Sequence, residues 1–168
     1  MKQPTALGLL RRVGVASGLA GALALAGCGG GLRPLIGLNL QLARGGEIRA
    51  PSLAGPWLAL IRSREGRGRV ELIALDRNAP VPMPGLNRPD AQPLSVAVDQ
   101  RGEHLAVVRQ LEGRTELVLY RRSLQALQPI AMQPAGVPRQ VQLSADGRVL
   151  AVELSRDGRW QVDLLELP

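Results

Sequence analysis

The sequence predicts an all-β chain of stacked, four-stranded antiparallel sheets, and three observations carry that reading. Apolar residues recur mostly with the two-residue period of strands, not the helical period. Gly and Pro, 20 and 13 of 168 residues, interrupt the chain at short intervals, so its elements are short. One segment also recurs three times at near-constant spacing.

The repeat organises everything after residue 45. Its first copy runs Ser52-Leu53-Ala54-Gly55-Pro56-Trp57-Leu58-Ala59 and reaches Gly66-Arg67. The second is Asp99-Gln100-Arg101-Gly102-Glu103-His104-Leu105-Ala106, reaching Gly113-Arg114. The third is Ser144-Ala145-Asp146-Gly147-Arg148-Val149-Leu150-Ala151, reaching Gly158-Arg159. Gly55, Gly102 and Gly147 are spaced by 47 and 45 residues, and Pro93 matches Pro138.

Each unit reads as four strands. Val96 and Val98, or Val141 and Leu143, alternate with small or polar residues and form the first. A glycine-containing turn leads to a compact apolar strand at Leu58–Ile61, Leu105–Val108 or Leu150–Val152, expected to be the most buried. A second turn, with Gly113 or Asp157-Gly158, signals a hairpin. The third strand alternates, with Leu117 and Leu119, and likewise Val162 and Leu164, expected inward. Glu116, Val118, Gln161 and Asp163 are expected outward. Proline near Val81-Pro82-Met83 and Pro129-Ile130-Ala131-Met132 suits a poorer edge strand. Ser123–Leu127 is too short to be more than a turn.

Four short strands per unit of roughly 40 to 45 residues is the pattern of a propeller blade. The segments Ser144-Ala145-Asp146-Gly147-Arg148-Val149-Leu150-Ala151-Val152 and Ser155-Arg156-Asp157-Gly158-Arg159-Trp160-Gln161-Val162 resemble the blade motif of TolB-like β-propellers, a WD40-like repeat. The resemblance covers residues 47–168. It is close in the third copy, moderate in the second and degenerate in the first, where Leu53-Ala54 replaces the Asp-containing turn. The expected fold is β-propeller-like, with blades at about 46–92, 93–137 and 138–168.

Three blades are fewer than a propeller's typical four to eight, and the third copy stops a strand short. This implies a partial propeller or half of a six-bladed dimer. Leu38, Leu40 and Leu42 alternate with Asn39 and Gln41 and predict an N-terminal strand. In a homodimer that strand would complete the partner's final sheet beside Val162–Leu167. The alternative is a monomeric open fan.

The N-terminal region speaks about location. Lys2, Arg11 and Arg12 precede an apolar stretch, Val13–Leu25, too short for an untilted membrane span of about 20 residues. This is the layout of a secretory signal. It ends in Leu25-Ala26-Gly27-Cys28, which resembles the lipobox of bacterial lipoproteins. The resemblance implies a signal peptide at 1–27, lipidation of Cys28, a linker over 28–45 and a lipid-anchored place in the cell envelope. An ordinary signal peptide containing a cysteine is the alternative. Cys28 is the only cysteine, so no intrachain disulfide can form. Gly29 and Gly30 follow it; the lipoprotein resemblance implies the outer membrane, facing the periplasm, because an Asp at that place favours inner-membrane retention in Gram-negative lipoproteins.

The formal net charge is +7, but Lys2, Arg11 and Arg12 fall in the leader, and Lys2 is the only lysine. No basic block interleaves with aromatics and Phe is absent, so no nucleic-acid partner is expected. No catalytic constellation is legible. His104 is the only histidine, which leaves no His-based metal cluster, and an exposed strand-edge position is expected for it. Asp99, Asp146 and Asp157 read as turn residues capping local N–H groups. Gly66-Arg67-Gly68-Arg69 lacks the glycines and the helix of a phosphate loop. The expectation is a non-enzymatic chain with no cofactor and no metal.

Binding candidates remain. Arg67, Arg114 and Arg159 recur after each hairpin glycine and read either as an anionic docking rim or as solvated tips, with solvated tips preferred. Trp57 and Trp160 open strands and read as packing residues or as ligand platforms. The TolB-like resemblance implies a scaffold that binds another envelope protein. A glycan-binding module or the remnant of a propeller enzyme is the rival, disfavoured by so few aromatics.

Overall fold

The computed structural model describes residues 32–167. Among the described residues one short helix, α1 (Ile36–Ala43), precedes eleven strands. The first sheet contains β1 (Glu47–Ala54), β2 (Trp57–Arg64), β3 (Arg67–Ala74) and β4 (Ala79–Val81). The second contains β5 (Ala91–Val98), β6 (His104–Leu111), β7 (Arg114–Arg121) and β8 (Ala126–Ile130). The third contains β9 (Val137–Leu143), β10 (Val149–Arg156) and β11 (Arg159–Glu166). Strands follow chain order in each antiparallel sheet. The three repeats are three blades, the last with three strands.

Local chemistry explains the hairpins. Glu65-Gly66, Glu112-Gly113 and Asp157-Gly158 all have positive φ, at 50° and 77°, 50° and 75°, and 50° and 74°. Two such residues form the mirror-image turn whose twist matches flanking strands, and Gly at the second place relieves its steric cost. Each inner strand also carries an irregularity next to a proline: at Ala50-Pro51, at Leu94 after Pro93, and at Arg139 after Pro138. Proline cannot donate to a ladder, so it sits on an edge strand or at a bulge, and β1, β5 and β9 are edge strands.

Packing follows from the stack. Ala59, Ile61, Val70 and Leu72 of the first sheet meet Val96, Leu105, Val107, Val118 and Tyr120 of the second. The opposite face of the second sheet supplies Ala97, Ala106, Val108 and Leu117 against Val141, Leu150, Val152 and Leu154 of the third. Burying each of the Val, Leu and Ile side chains contributes roughly 1.5–3 kcal/mol. The second sheet is thus buried on both faces.

Two expectations about faces are corrected accordingly. Val118, expected outward, is fully buried along with Leu117, Leu119 and Tyr120, because the second sheet has neighbours on both sides. In β11 the expected inward pair is outward: Val162 is 66% exposed and Leu164 72%. Their face is the one turned away from the second sheet, while Leu165 packs towards it. Ala151 shares the open face and is only partly buried, whereas Ala106 is fully buried.

The N-terminal strand is also corrected. Residues Leu38–Leu42 lie in α1, not in a strand. Leu38 and Leu42, one helical turn apart, pack on Leu58, Leu60, Ile73 and Ile48 of the first sheet. The period-two leucine pattern contains an i, i+4 pair, and a flat apolar sheet face selects the helix that presents it. The Arg62 guanidinium fastens the helix, donating to the Leu42 carbonyl (3.1 Å) and to Glu71 (2.7 Å). A strand lent to a partner's final sheet is therefore not what this segment forms.

Candidate functional site

Three surfaces gather polar or charged groups in a hollow. The first lies where the inner strands meet. Residues of β1, β5 and β9, among them Ser52, Leu53, Leu94, Arg139, Gln140 and Gln142, line a groove of about 620 Å³. Its walls hold together through polar links between blades. Ser52 accepts a hydrogen bond from the Val98 N–H (3.1 Å), and Ser95 accepts one from the Val141 N–H (3.2 Å). Each serine satisfies an edge-strand donor that would otherwise be an unpaired backbone group. Arg49 adds a bond to the Pro93 carbonyl at 2.9 Å.

The second surface is the open face of the third sheet. A hollow of about 470 Å³ is lined by Gln140, Gln142, Ala151, Glu153, Trp160 and Val162. Trp160 is 57% exposed, and the Arg139 guanidinium stands 5.0 Å from its ring centroid. Arg139 also lies 3.8 Å from Glu153. Register places Glu153 where the first two sheets carry Ile61 and Val108, so this face is more polar than the faces that receive a blade.

The third is basic. Arg62, Arg64, Arg67 and Arg69 surround Glu71 in a hollow of about 240 Å³ on the first sheet. Of the recurrent arginines, Arg67 belongs here, while Arg114 and Arg159 open β7 and β11. All three are exposed, each directly after its turn glycine. Cys28 lies outside the described residues.

The tryptophans differ in setting. Trp57 is partly buried between Gly102 and the Arg122 guanidinium, 5.0 Å from its centroid, as a packing residue. Trp160 occupies the open face. His104 is corrected from an exposed edge to an interface position: its side chain is 19% exposed and its Nδ1 lies 3.2 Å from Asp99 Oδ2. Asp99 is fully buried and accepts a bond from the Glu103 N–H (2.8 Å). Gly147 of the third sheet packs against both side chains. The turn reading of the aspartates holds for Asp99 and for Asp146, whose Oδ1 accepts from the Arg148 N–H at 3.0 Å. The Ser144 hydroxyl, then that N–H, hold the Asp146 carboxyl below its ordinary range.

Sequence reasoning missed several determinants. Asn87 clamps Val70 with two bonds, accepting from its N–H (2.8 Å) and donating to its carbonyl (2.9 Å), where β4 is too short to reach. Tyr120 donates to the Pro84 carbonyl at 2.9 Å, anchoring the connection between the first two blades. An Asn beside turn residues was the only sequence signal for the clamp.

The architecture is part of a β-propeller. It is similar to TolB from Acinetobacter baumannii, with a TM-score of 0.56 and 17% identity over 73% of this chain and 30% of that chain. The match thus spans under a third of that protein's length, and at this identity the likeness shows the fold alone. The Myceliophteria thermophila Cps50 (Swd1) β-propeller domain matches with a TM-score of 0.44 and 14% identity, over 73% of this chain and 40% of that one. No family model and no curated protein matches the sequence.

Proposed function

We propose that this chain is a lipid-anchored, periplasm-facing lipoprotein whose stacked blades form a non-enzymatic scaffold for another envelope protein. The observation that carries the anchoring is the Leu25-Ala26-Gly27-Cys28 box behind a short apolar stretch. Several acyl chains on one cysteine would hold a chain stably at a membrane, since each buried CH2 contributes about 0.8 kcal/mol. The scaffold reading draws support from the shape. Three blades present a long groove, an open sheet face and a basic hollow, all suited to a protein surface. The fold likeness to TolB supports the propeller part of the reading. Cys28→Ser tests the anchor. The expected result is an unprocessed precursor that no longer partitions into detergent; a variant that matures and partitions like wild type would overturn the reading.

One observation favours glycan binding as a second reading: Trp160 stands exposed beside the planar amides of Gln140 and Gln142. Against it, Arg139 stacks over the ring. Capture from envelope extract, run beside a glycan panel with wild type and Trp160→Ala, separates the two. Glycan binding lost in the variant supports the second reading; protein capture without glycan binding supports the first.

A further inference from the structure

The outer edge of β11 has a different status from its counterparts. In the first two sheets the third strand is covered by a fourth, β4 on β3 and β8 on β7. Among the described residues β11 pairs only with β10, which leaves an eight-residue edge open. Alternate residues of such a strand point N–H and C=O groups outward, and natural edges of this length are normally covered, charged or bulged. Here the ladder with β10 is regular from Arg159 to Glu166, and the adjoining face shows Trp160, Val162 and Leu164 at 57, 66 and 72% exposure. Trp160, Val162 and Leu164 carry no charge; Asp163, between the last two in sequence, lies on the other face and pairs with Arg156.

We propose that this edge pairs with the same edge of a second copy, making one continuous six-stranded sheet through a two-fold axis. Residues opposite one another in an antiparallel pair share a face, so the two-fold centres on a residue of β11. Centred on Asp163, like charges stand opposite and the register is disfavoured. Centred on Leu164, Val162 faces Glu166. Centred on Val162, Trp160 stands opposite the partner's Leu164, Val162 opposite the partner's Val162, and Leu164 opposite the partner's Trp160. Apolar cross-strand pairs of this kind contribute roughly 0.2–1 kcal/mol each. On the other face Gln161 meets the partner's Asp163, and Arg159 lies diagonal to that same carboxylate. A two-fold on Gln161 would set Arg159 opposite the partner's Asp163 but would overlap only Arg159–Asp163 and leave Leu164 unpaired. The apolar pattern and the longer overlap therefore favour the Val162-centred register and a second copy as occupant. The pairing needs neither a lipid anchor nor an N-terminal strand.

The test uses full-length protein in detergent. Directly opposite residues have Cβ atoms about 4.5–5.5 Å apart. Val162→Cys should therefore form a disulfide-linked dimer on mild oxidation. Leu164 and its mate are four residues out of step, about 13 Å along the strands, so Leu164→Cys should stay at background. Wild type, with Cys28 alone, sets that background. Val162→Lys puts like charges face to face on an exposed position and should weaken dimerisation at least tenfold by light scattering. The proposal is overturned by a wild type monomeric at tens of micromolar, by equal cross-linking of the two cysteine variants, or by an unchanged Val162→Lys dimer. None of these outcomes bears on whether Cys28→Ser detaches the chain.

Discussion

Gly102 of the second sheet lies against the indole of Trp57 in the first: a Cβ on that glycine would stand 2.5 Å from the ring's Cδ2 and Cε2. The contact recurs one blade on, where a Cβ on Gly147 would stand 2.9 Å from His104 Nδ1. In each case the turn glycine of one blade rests on the residue two places after the turn glycine of the blade before. This is how the repeat carries its own stacking contact.

Gly102→Ala should therefore cost more than its backbone strain alone. Its φ is +63°, and the added methyl must push the indole aside. Gly113, with φ +75° and open space around it, isolates the backbone term of roughly 1 kcal/mol. Overpacking adds about 1–3 kcal/mol. Denaturant titration of both variants checks this, and equal losses would show that the stacking contact yields freely.

Ala106→Glu and Ala151→Glu should part company although the repeat aligns them. Ala106 is fully buried between two sheets, and an unpaired carboxylate there costs several kcal/mol. Ala151 faces the open side, so its variant should melt close to wild type. Thermal unfolding distinguishes them.

Asn87→Ala should lower stability by about 1–3 kcal/mol, because it strands the buried Val70 N–H and carbonyl. The amide proton of Val70 should also lose protection against hydrogen exchange, while that of Val118 in the central sheet should not.

Asp163→Asn should flatten the acid limb of the stability curve. The Arg156 guanidinium hydrogen-bonds to the Asp163 carboxylate and holds it below the usual carboxylate range. A lowered folded value stabilises the chain above the unfolded carboxylate pKa, about 4, and that contribution fades as pH falls through the folded value. Melting temperatures from pH 6 down to 2 should fall more steeply for wild type. Parallel curves would mean that the pair contributes nothing.

The repeat, the hairpins and the proline-marked edges were legible in the residues because each is decided within a few positions. Glu112-Gly113 and Asp157-Gly158 carry the backbone preference for a tight turn themselves. Leu105-Ala106-Val107-Val108 is a continuous apolar run, which marks its strand as the buried one. The site was less legible. The groove is assembled from Ser52, Leu94 and Gln142, each unremarkable in its own strand and brought together only by stacking. His104 and Asp99 sit five residues apart, but the glycine that encloses them arrives from the next blade.

By itself the sequence determined an all-β chain of three blade-like repeats, their turns and the order of their strands. Those follow from φ preferences, missing N–H groups and side-chain alternation, which are properties of neighbouring residues. Only the tertiary structure decided which faces are covered. Leu117 and Leu164 both belong to alternating third strands, yet one is buried by the next sheet and the other is open because no sheet follows it among the described residues. The same rule settled α1: Leu38 and Leu42 form a helix face or alternate along a strand with equal ease, and the apolar face of the first sheet selects the helix. Alternation places a residue on a side of its strand, but burial depends on what packs against that side.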